Sequence, residues 1–199
     1  MVFGGEGVSA GLGHNGGPSV APGAGWRAHC WSRARADLLP TLPLEVVRLR
    51  VRRAAEIGLD YRTYATVRAT TGHDIVAFLF SSNALRLFRE GQALEAARAE
   101  ALARQRGVAQ RLAQQPPLTP EAALSVLAGQ GLAFEGAAPA PGLLGWGALS
   151  RAVREMAGAR PADRVLMVGD TGLERDWAAA GRLAGYLPAE RFFAGAVPA

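Results

Sequence analysis

The chain has 199 residues, of which 49% are hydrophobic, 20% charged and 7% aromatic, a composition typical of globular proteins. All 22 basic residues are arginine, and the missing lysine excludes Schiff-base chemistry on lysine and a P-loop. A single cysteine excludes an internal disulfide, and with only three histidines it argues against a zinc cage. We therefore expect an arginine-rich cytoplasmic protein without a signal peptide or membrane span.

The first 25 residues are rich in glycine, with proline, serine and asparagine. Such a segment buries too little apolar surface to offset the entropy of ordering, so residues 1–25 are predicted to be a flexible, disordered tail. Glycines at 11, 13 and 16 match a dinucleotide-binding spacing, but the strand and helix that this motif needs are not predicted around them. The segment 13–18 resembles a short stretch near the start of unrelated bacterial proteins and predicts no function.

Residues 26–199 are predicted to form one domain, with a helical part at 26–72 and an α/β core at 73–199. A short amphipathic helix is expected over Trp26–Leu39. Apolar residues at helical spacing predict a second helix from Leu44 to Gly58. A third helix is predicted from Tyr61 to about Ala69, with Asp60 as its N-cap and Gly72 at its end.

Two apolar runs, 74–80 and 164–168, predict buried strands that are apolar on both faces, as in a parallel sheet. A third strand is expected at 131–134. A helix is predicted to open at 81–83 and to be broken by Gly91. The other helices predicted between and after the strands are 93–115, 120–129, 149–156 and 174–184, with a loop at 136–147. This alternation predicts an α/β fold with a layered, mostly parallel sheet flanked by helices.

Polar residues follow both clear strands. Ser81, Ser82 and Asn83 follow the first, and Asp170 and Thr171 follow the second. Ligands bind outside the carboxyl ends of parallel strands, so these five residues are the predicted ligand-binding set. Hydroxyls, a carboxylate and helix N-terminal amides suit a phosphate or a Mg²⁺–phosphate pair. The alternative is that they only cap helices and close turns.

The segment 160–185 has an apolar strand ending in Gly169-Asp170, a second acid at Glu174, and a helix that runs to Ala184-Gly185. In this pattern it resembles the last motif of the haloacid dehalogenase-like hydrolases. The resemblance implies that Asp170 would hold Mg²⁺ with Glu174 as its partner. It also implies an Asp-x-Asp nucleophile motif, which this sequence lacks, as it lacks the family's lysine. The segment 78–85 would take the place of that motif without either aspartate, or that of the family's second, phosphate-binding motif.

The missing aspartates argue against catalysis, because a serine without an adjacent base is a weak nucleophile. His73 precedes the first strand and is expected at the opposite end of the sheet. We therefore predict a non-catalytic binding or regulatory protein, with a phosphorylated small molecule or a protein as its partner. The first alternative is a Mg²⁺-dependent phosphohydrolase that uses Asp170 and Glu174. A degenerate relative of that family and an accidental resemblance remain open.

The second alternative is a nucleic-acid-associated protein. The two helices around residues 58–60 are similar to a helix-turn-helix, and four arginines on them would contact phosphates. These are Arg48, Arg52, Arg62 and Arg68. Acidic residues interrupt the positive charge, and local pairs such as Arg52–Glu56 offer a purely structural explanation for it.

Overall fold

The computed structural model describes residues 42–194, and its elements belong to one compact unit that starts at Leu44. The helices in this range are α1 (Leu44–Glu56), α2 (Tyr61–Thr71), α3 (Ser82–Leu85), α4 (Ala96–Arg104), α5 (Pro120–Gly129), α6 (Trp146–Ala157), α7 (Gly172–Gly181) and α8 (Ala189–Ala194). The strands are β1 (Ala77–Ser81), β2 (Ala109–Gln114), β3 (Gly136–Pro139), β4 (Val165–Gly169) and β5 (Gly185–Pro188). The predicted tail, its boundary near residue 25 and the helix Trp26–Leu39 lie outside the described residues.

The strands form one sheet in the order β3-β2-β1-β4-β5, and every neighbouring pair is parallel. This arrangement confirms the predicted α/β class. From β1 the chain first builds the sheet in one direction, through β2 to β3. It then returns to the other side of β1 and continues through β4 to β5. The order therefore reverses between β1 and β4, which makes that boundary the topological switch point of the sheet.

Helices cover both faces of the sheet. On one face Phe78 and Phe80 of β1 pack against Phe192 of α8, with 5.3 Å between ring centroids in both pairs. On the other face Leu79 and Met167 belong to a cluster with residues of α6 and α7. Because β1 and β4 are buried on both sides, their apolar runs show no alternation, as is typical of the central strands of a parallel sheet.

The residues predicted to begin and end α2 and to begin α5 do so in the structure. The Thr63 N–H donates to Asp60 Oδ1 at 2.9 Å, which caps the start of α2. Gly72 ends the helix with φ of 76°, a left-handed conformation that glycine adopts without strain. Thr119 caps α5 in the same way, by accepting from Ala122 N–H at 3.2 Å.

The long helix predicted over 93–115 is wrong. The helix α4 ends at Arg104, Gly107 adopts φ of 64°, and the chain then enters β2. The alanines, glutamines and arginine of β2 favour helix intrinsically, but pairing with β1 on one side and β3 on the other overrides that preference. The third strand lies at Gly136–Pro139, within the predicted loop, rather than at 131–134.

Candidate functional site

The two polar turns predicted to bind a ligand lie side by side. β1 pairs with β4 in a register that sets Phe80 opposite Val168, so both strands end at the same edge of the sheet. We call this place the β1–β4 junction; it comprises residues 81–83, 169–171 and Glu174. It coincides with the switch point, where open α/β sheets bind ligands.

Glu174 is the centre of the junction, and its side chain is fully buried. Its Oε2 accepts hydrogen bonds from the backbone N–H of Asp170 at 2.6 Å and of Thr171 at 3.0 Å. Thr171 Oγ1 accepts in return from the Glu174 N–H at 3.3 Å, which completes a capping box at the start of α7. One carboxylate oxygen is therefore used to form the turn after β4.

The other oxygen of Glu174 reaches across the sheet. Its Oε1 accepts from Asn83 Nδ2 at 2.9 Å and from Gln115 Nε2 at 3.3 Å. Asn83 follows β1 and Gln115 follows β2, so one carboxylate connects the ends of three neighbouring strands. An ionised carboxylate only accepts hydrogen bonds, so the amides present their nitrogens to it. We call these five residues, Glu174 with its four donors, the Glu174 network.

Both serines of the predicted site serve the local fold. Ser81 Oγ accepts from the Ala84 N–H at 3.0 Å and caps α3, and Ser82 Oγ accepts from the Gln115 N–H at 3.0 Å. Both residues are fully buried. Asp170 differs, because it is exposed and its carboxylate has no hydrogen-bond or ion-pair partner among residues 42–194. The junction thus brings all five predicted ligand residues together but uses four of their side chains in internal hydrogen bonds.

Close packing surrounds the network. A Cβ atom added at Gly169 would lie 2.7 Å from both Glu174 Oε2 and Tyr186 Cε2, so only glycine fits at the end of β4. The Tyr186 hydroxyl donates to the Thr171 carbonyl at 3.1 Å. Burial, and then the negative charge of Glu174, raise the pKa of Tyr186. The phenol therefore stays a neutral donor beside the carboxylate.

The residues at the junction do not fit a magnesium ion. Mg²⁺ requires several oxygen ligands in octahedral geometry, whereas both oxygens of Glu174 already face N–H donors. Only the Asp170 carboxylate is available. Within the described part of the chain, no group of three or more His, Cys, Asp or Glu side chains is placed to hold a metal ion.

The four arginines proposed for nucleic-acid binding have different environments. Arg48 pairs with Glu45 at 2.9 Å, and Arg52 is exposed on α1. Arg68 lies beside Tyr64, where its positive charge opposes the rise in the tyrosine pKa that burial and the hydrogen bond to Asp74 cause. Arg62 lines a groove between α2 and β5.

The ion pair predicted on α1 involves a different arginine. Glu56 pairs with Arg53 at 3.6 Å rather than with Arg52. Arg53 also donates to Asp74 Oδ2 at 3.0 Å and to the Ile75 carbonyl at 3.1 Å. Arg53 therefore attaches α1 to the start of β1, a structural role.

The sequence does not predict the role of Gln115 as a donor to Glu174, or that of Arg191, which lines the same groove as Arg62. Gln115 was assigned to a helix, because its neighbours are good helix formers; the two prolines that follow it were the only sign of an element end. Arg191 lies in a terminal segment with no pattern longer than six residues. His73, as expected, precedes β1, and its Nε2 lies 3.5 Å from Asp163 Oδ2, away from the junction.

Comparisons of the chain with protein-family models, curated proteins and solved structures found no significant match. Among residues 42–194, no helix has both the length and the apolar composition needed to cross a bilayer.

Proposed function

We propose that this chain is a non-catalytic, cytoplasmic binding or regulatory protein with an α/β fold. The β1–β4 junction then serves as a metal-independent polar network rather than as a phosphohydrolase site. Segment 160–185 resembles haloacid dehalogenase-like hydrolases, and in this proposal the chain is a degenerate relative of that family. In such a relative Ser81 and Asn83 would stand where the family has its two aspartates.

The observation that carries the proposal is the amide of Asn83 donating to Glu174 at 2.9 Å. Two carboxylates at that separation repel each other and need a cation or a proton between them. An amide facing a carboxylate needs neither, because the donor and the acceptor satisfy each other. Asparagine in place of the second aspartate would thus remove the need for a cation at this contact, while serine in place of the first would remove the nucleophile.

The chemistry of the remaining groups supports the same proposal. A phosphoaspartyl mechanism needs a carboxylate nucleophile at the end of β1, where this chain has two buried serines whose Oγ atoms accept backbone N–H groups. A phosphate ligand at this edge would meet the like charges of Asp170 and Glu174. The proposal therefore retains a binding role but does not place a phosphate at the junction.

The experiment is an assay of the full chain with an aryl phosphate in excess Mg²⁺. We expect turnover equal to that of the buffer blank, and the same result for Asp170→Asn. Turnover by the natural chain that disappears in Asp170→Asn would instead establish the phosphohydrolase alternative. An exposed-site variant, Asp176→Asn, controls for trace contaminants, since a contaminating phosphatase would be unaffected by either substitution.

A further inference from the structure

A groove runs between helix α2 and strand β5, at the edge of the sheet. Its volume is about 620 Å³. Its walls come from one face of α2, from the edge of β5 and from the first turns of α8. The lining residues used below are Arg62, Thr66, Thr70, Gly185, Leu187 and Arg191.

One side of this groove is formed by β5, where Gly185 is half-buried and Leu187 is buried. The Ala184 N–H donates to the Val165 carbonyl of β4 at 2.9 Å. Successive residues of a strand direct their backbone groups to opposite sides, so the N–H and C=O of Gly185 and Leu187 point away from β4, toward the groove. β5 is the last strand of the sheet in the described chain. Such an edge is a template for an additional strand.

The charge of the groove is positive and is concentrated at one end. Arg62 and Arg191 line it, and no Asp or Glu does. Arg191 Nη2 donates to Thr63 Oγ1 at 3.1 Å, which holds this guanidinium over the first turn of α2. Within residues 42–194 the Arg62 side chain has no hydrogen-bond or ion-pair partner. Asp60, the N-cap of α2, accepts from Thr63 N–H, and its carboxylate also interacts with the charge of Arg191, so it offsets part of the positive charge at this end.

The hydroxyls along the groove wall select against a ligand that only accepts hydrogen bonds. Thr66 Oγ1 donates to the Arg62 carbonyl at 2.8 Å, and Thr70 Oγ1 donates to the Thr66 carbonyl at 3.0 Å. Their hydrogens are used, so they offer only lone pairs to a ligand. A free anion could therefore use the arginine end alone, whereas a peptide has N–H groups for the remaining length.

We propose that this groove binds an extended, acidic peptide segment of a partner protein. The segment adds beside β5 by pairing with the backbone of Gly185 and Leu187, and it places a carboxylate between Arg62 and Arg191. From Arg62 to Thr70 the helix rises by about 12 Å, which an extended chain covers in about four residues. This inference goes beyond the proposed function, and it concerns a different part of the molecule from the junction.

The test uses the full chain and a fluorescein-labelled pool of octapeptides in which Glu alternates with Val, Ile or Thr. Fluorescence anisotropy at low salt measures binding. We expect saturable binding that weakens about tenfold or more in Arg62→Ala/Arg191→Ala, the effect of losing a hydrogen-bonded charge. The matched control is Arg154→Ala, which removes an exposed arginine on α6 and should leave binding unchanged.

Two changes in the peptide test the same inference without altering the protein. Replacing Glu by Gln should abolish binding, because the carboxylate contact is lost. Methylating alternate backbone nitrogens should weaken binding strongly, because strand pairing is lost. The inference is overturned if the pool does not bind, if the methylated and parent pools bind equally, or if inorganic phosphate or a single-stranded oligonucleotide displaces the peptides at lower concentration. Self-association of the chain that depends on Arg191 would make a second copy the occupant instead, and would also overturn it.

Discussion

Glu174 is a fully buried carboxylate whose two oxygens accept four N–H donors, two from backbone and two from side-chain amides. Burying a charge without partners is costly, but hydrogen bonds to an ionised group are stronger than those between neutral groups. The carboxylate is therefore tolerated at the edge of the core and fixes three strand ends relative to one another. All four of these hydrogen bonds shape the junction.

The substitution Glu174→Gln tests this role. A glutamine offers one acceptor oxygen and directs an NH₂ group at donors that have lost their partner, so we expect a loss of about 2–3 kcal/mol in the free energy of unfolding. Urea denaturation of the variant against the natural chain measures it. The control is Glu121→Gln, an exposed residue in the first turn of α5. A loss no larger than that of the control would show that the network contributes nothing to stability.

The stability that Asp60 gives to the fold, as the N-cap of α2, is expected to depend on pH. Partial burial raises its pKa, but the hydrogen bonds from Thr63 and the charge of Arg191 together outweigh burial, so the pKa is lowered on folding. A carboxyl whose pKa is lower when folded stabilises the protein above its unfolded pKa, near 4, and loses that contribution as the pH falls through the folded pKa.

Asp60→Asn separates this pH effect from capping, because asparagine caps helices about as well as aspartate. We expect the natural chain to be the more stable at neutral pH and the difference to shrink as the pH falls below about 4. Urea denaturation at a series of pH values checks it. A difference that stays constant down to low pH would mean that the Asp60 carboxylate is not stabilised by folding.

At the scale of elements, the sequence predicts best where a local chemical signal and a tertiary role agree. The helix α2 carries its own cap and its own terminating glycine, and β1 and β4 are apolar enough to be assigned without partners. β2 carries no such signal. Ala109 and Ala113 are small because they face the α6 side of the sheet, and smallness favours helix in an isolated sequence.

Because β2 is predicted as helix, Gln115 is not placed beside the β1–β4 junction from the sequence, and the donor set of Glu174 stays incomplete. β3 and β5 have four residues each, too few for a periodic pattern, and pairing with longer neighbours is what forms them. The shared edge of the two polar turns was predictable from the rules of parallel sheets, but the hydrogen bonds between them were not.

The contact between α6 and α7 depends on a glycine. A Cβ atom added at Gly181 would collide with Val153 Cγ1, so α7 approaches α6 closely at this point. Gly181→Ala should therefore destabilise the protein by about 1–3 kcal/mol through overpacking, even though alanine is the better helix former by about 1 kcal/mol.

Thermal or urea unfolding of Gly181→Ala measures this effect. Two further variants make it specific to the contact. Val153→Ala removes the methyl group that collides. Adding Gly181→Ala to Val153→Ala should therefore cost less stability than adding it to the natural chain. Gly172→Ala adds a Cβ in open space at the start of the same helix and should not destabilise it. A Gly181→Ala variant as stable as the natural chain would show that α6 and α7 can move apart at no cost.

At the scale of the whole molecule, two places on the sheet differ in character, the β1–β4 junction and the groove beside β5. The junction at the carboxyl ends of β1 and β4 is satisfied internally, with Asp170 as its one exposed carboxylate. The groove beside β5 is instead lined by Arg62 and Arg191, with no acidic residue in its lining. A sheet of this kind can serve catalysis or binding alone, since fold alone does not determine function.

The most direct test of this account is thermal unfolding of the natural chain and of Asn83→Asp, each with and without Mg²⁺ at constant ionic strength. Asn83→Asp sets a second carboxylate against Glu174, where an amide donates at 2.9 Å in the natural chain. Like charges at this distance destabilise the fold, and a cation between them relieves the repulsion. We predict that Mg²⁺ leaves the melting temperature of the natural chain unchanged, whereas Asn83→Asp melts lower and is partly restored by Mg²⁺. A natural chain that Mg²⁺ stabilises, with Asp170→Asn abolishing the effect, would contradict the account.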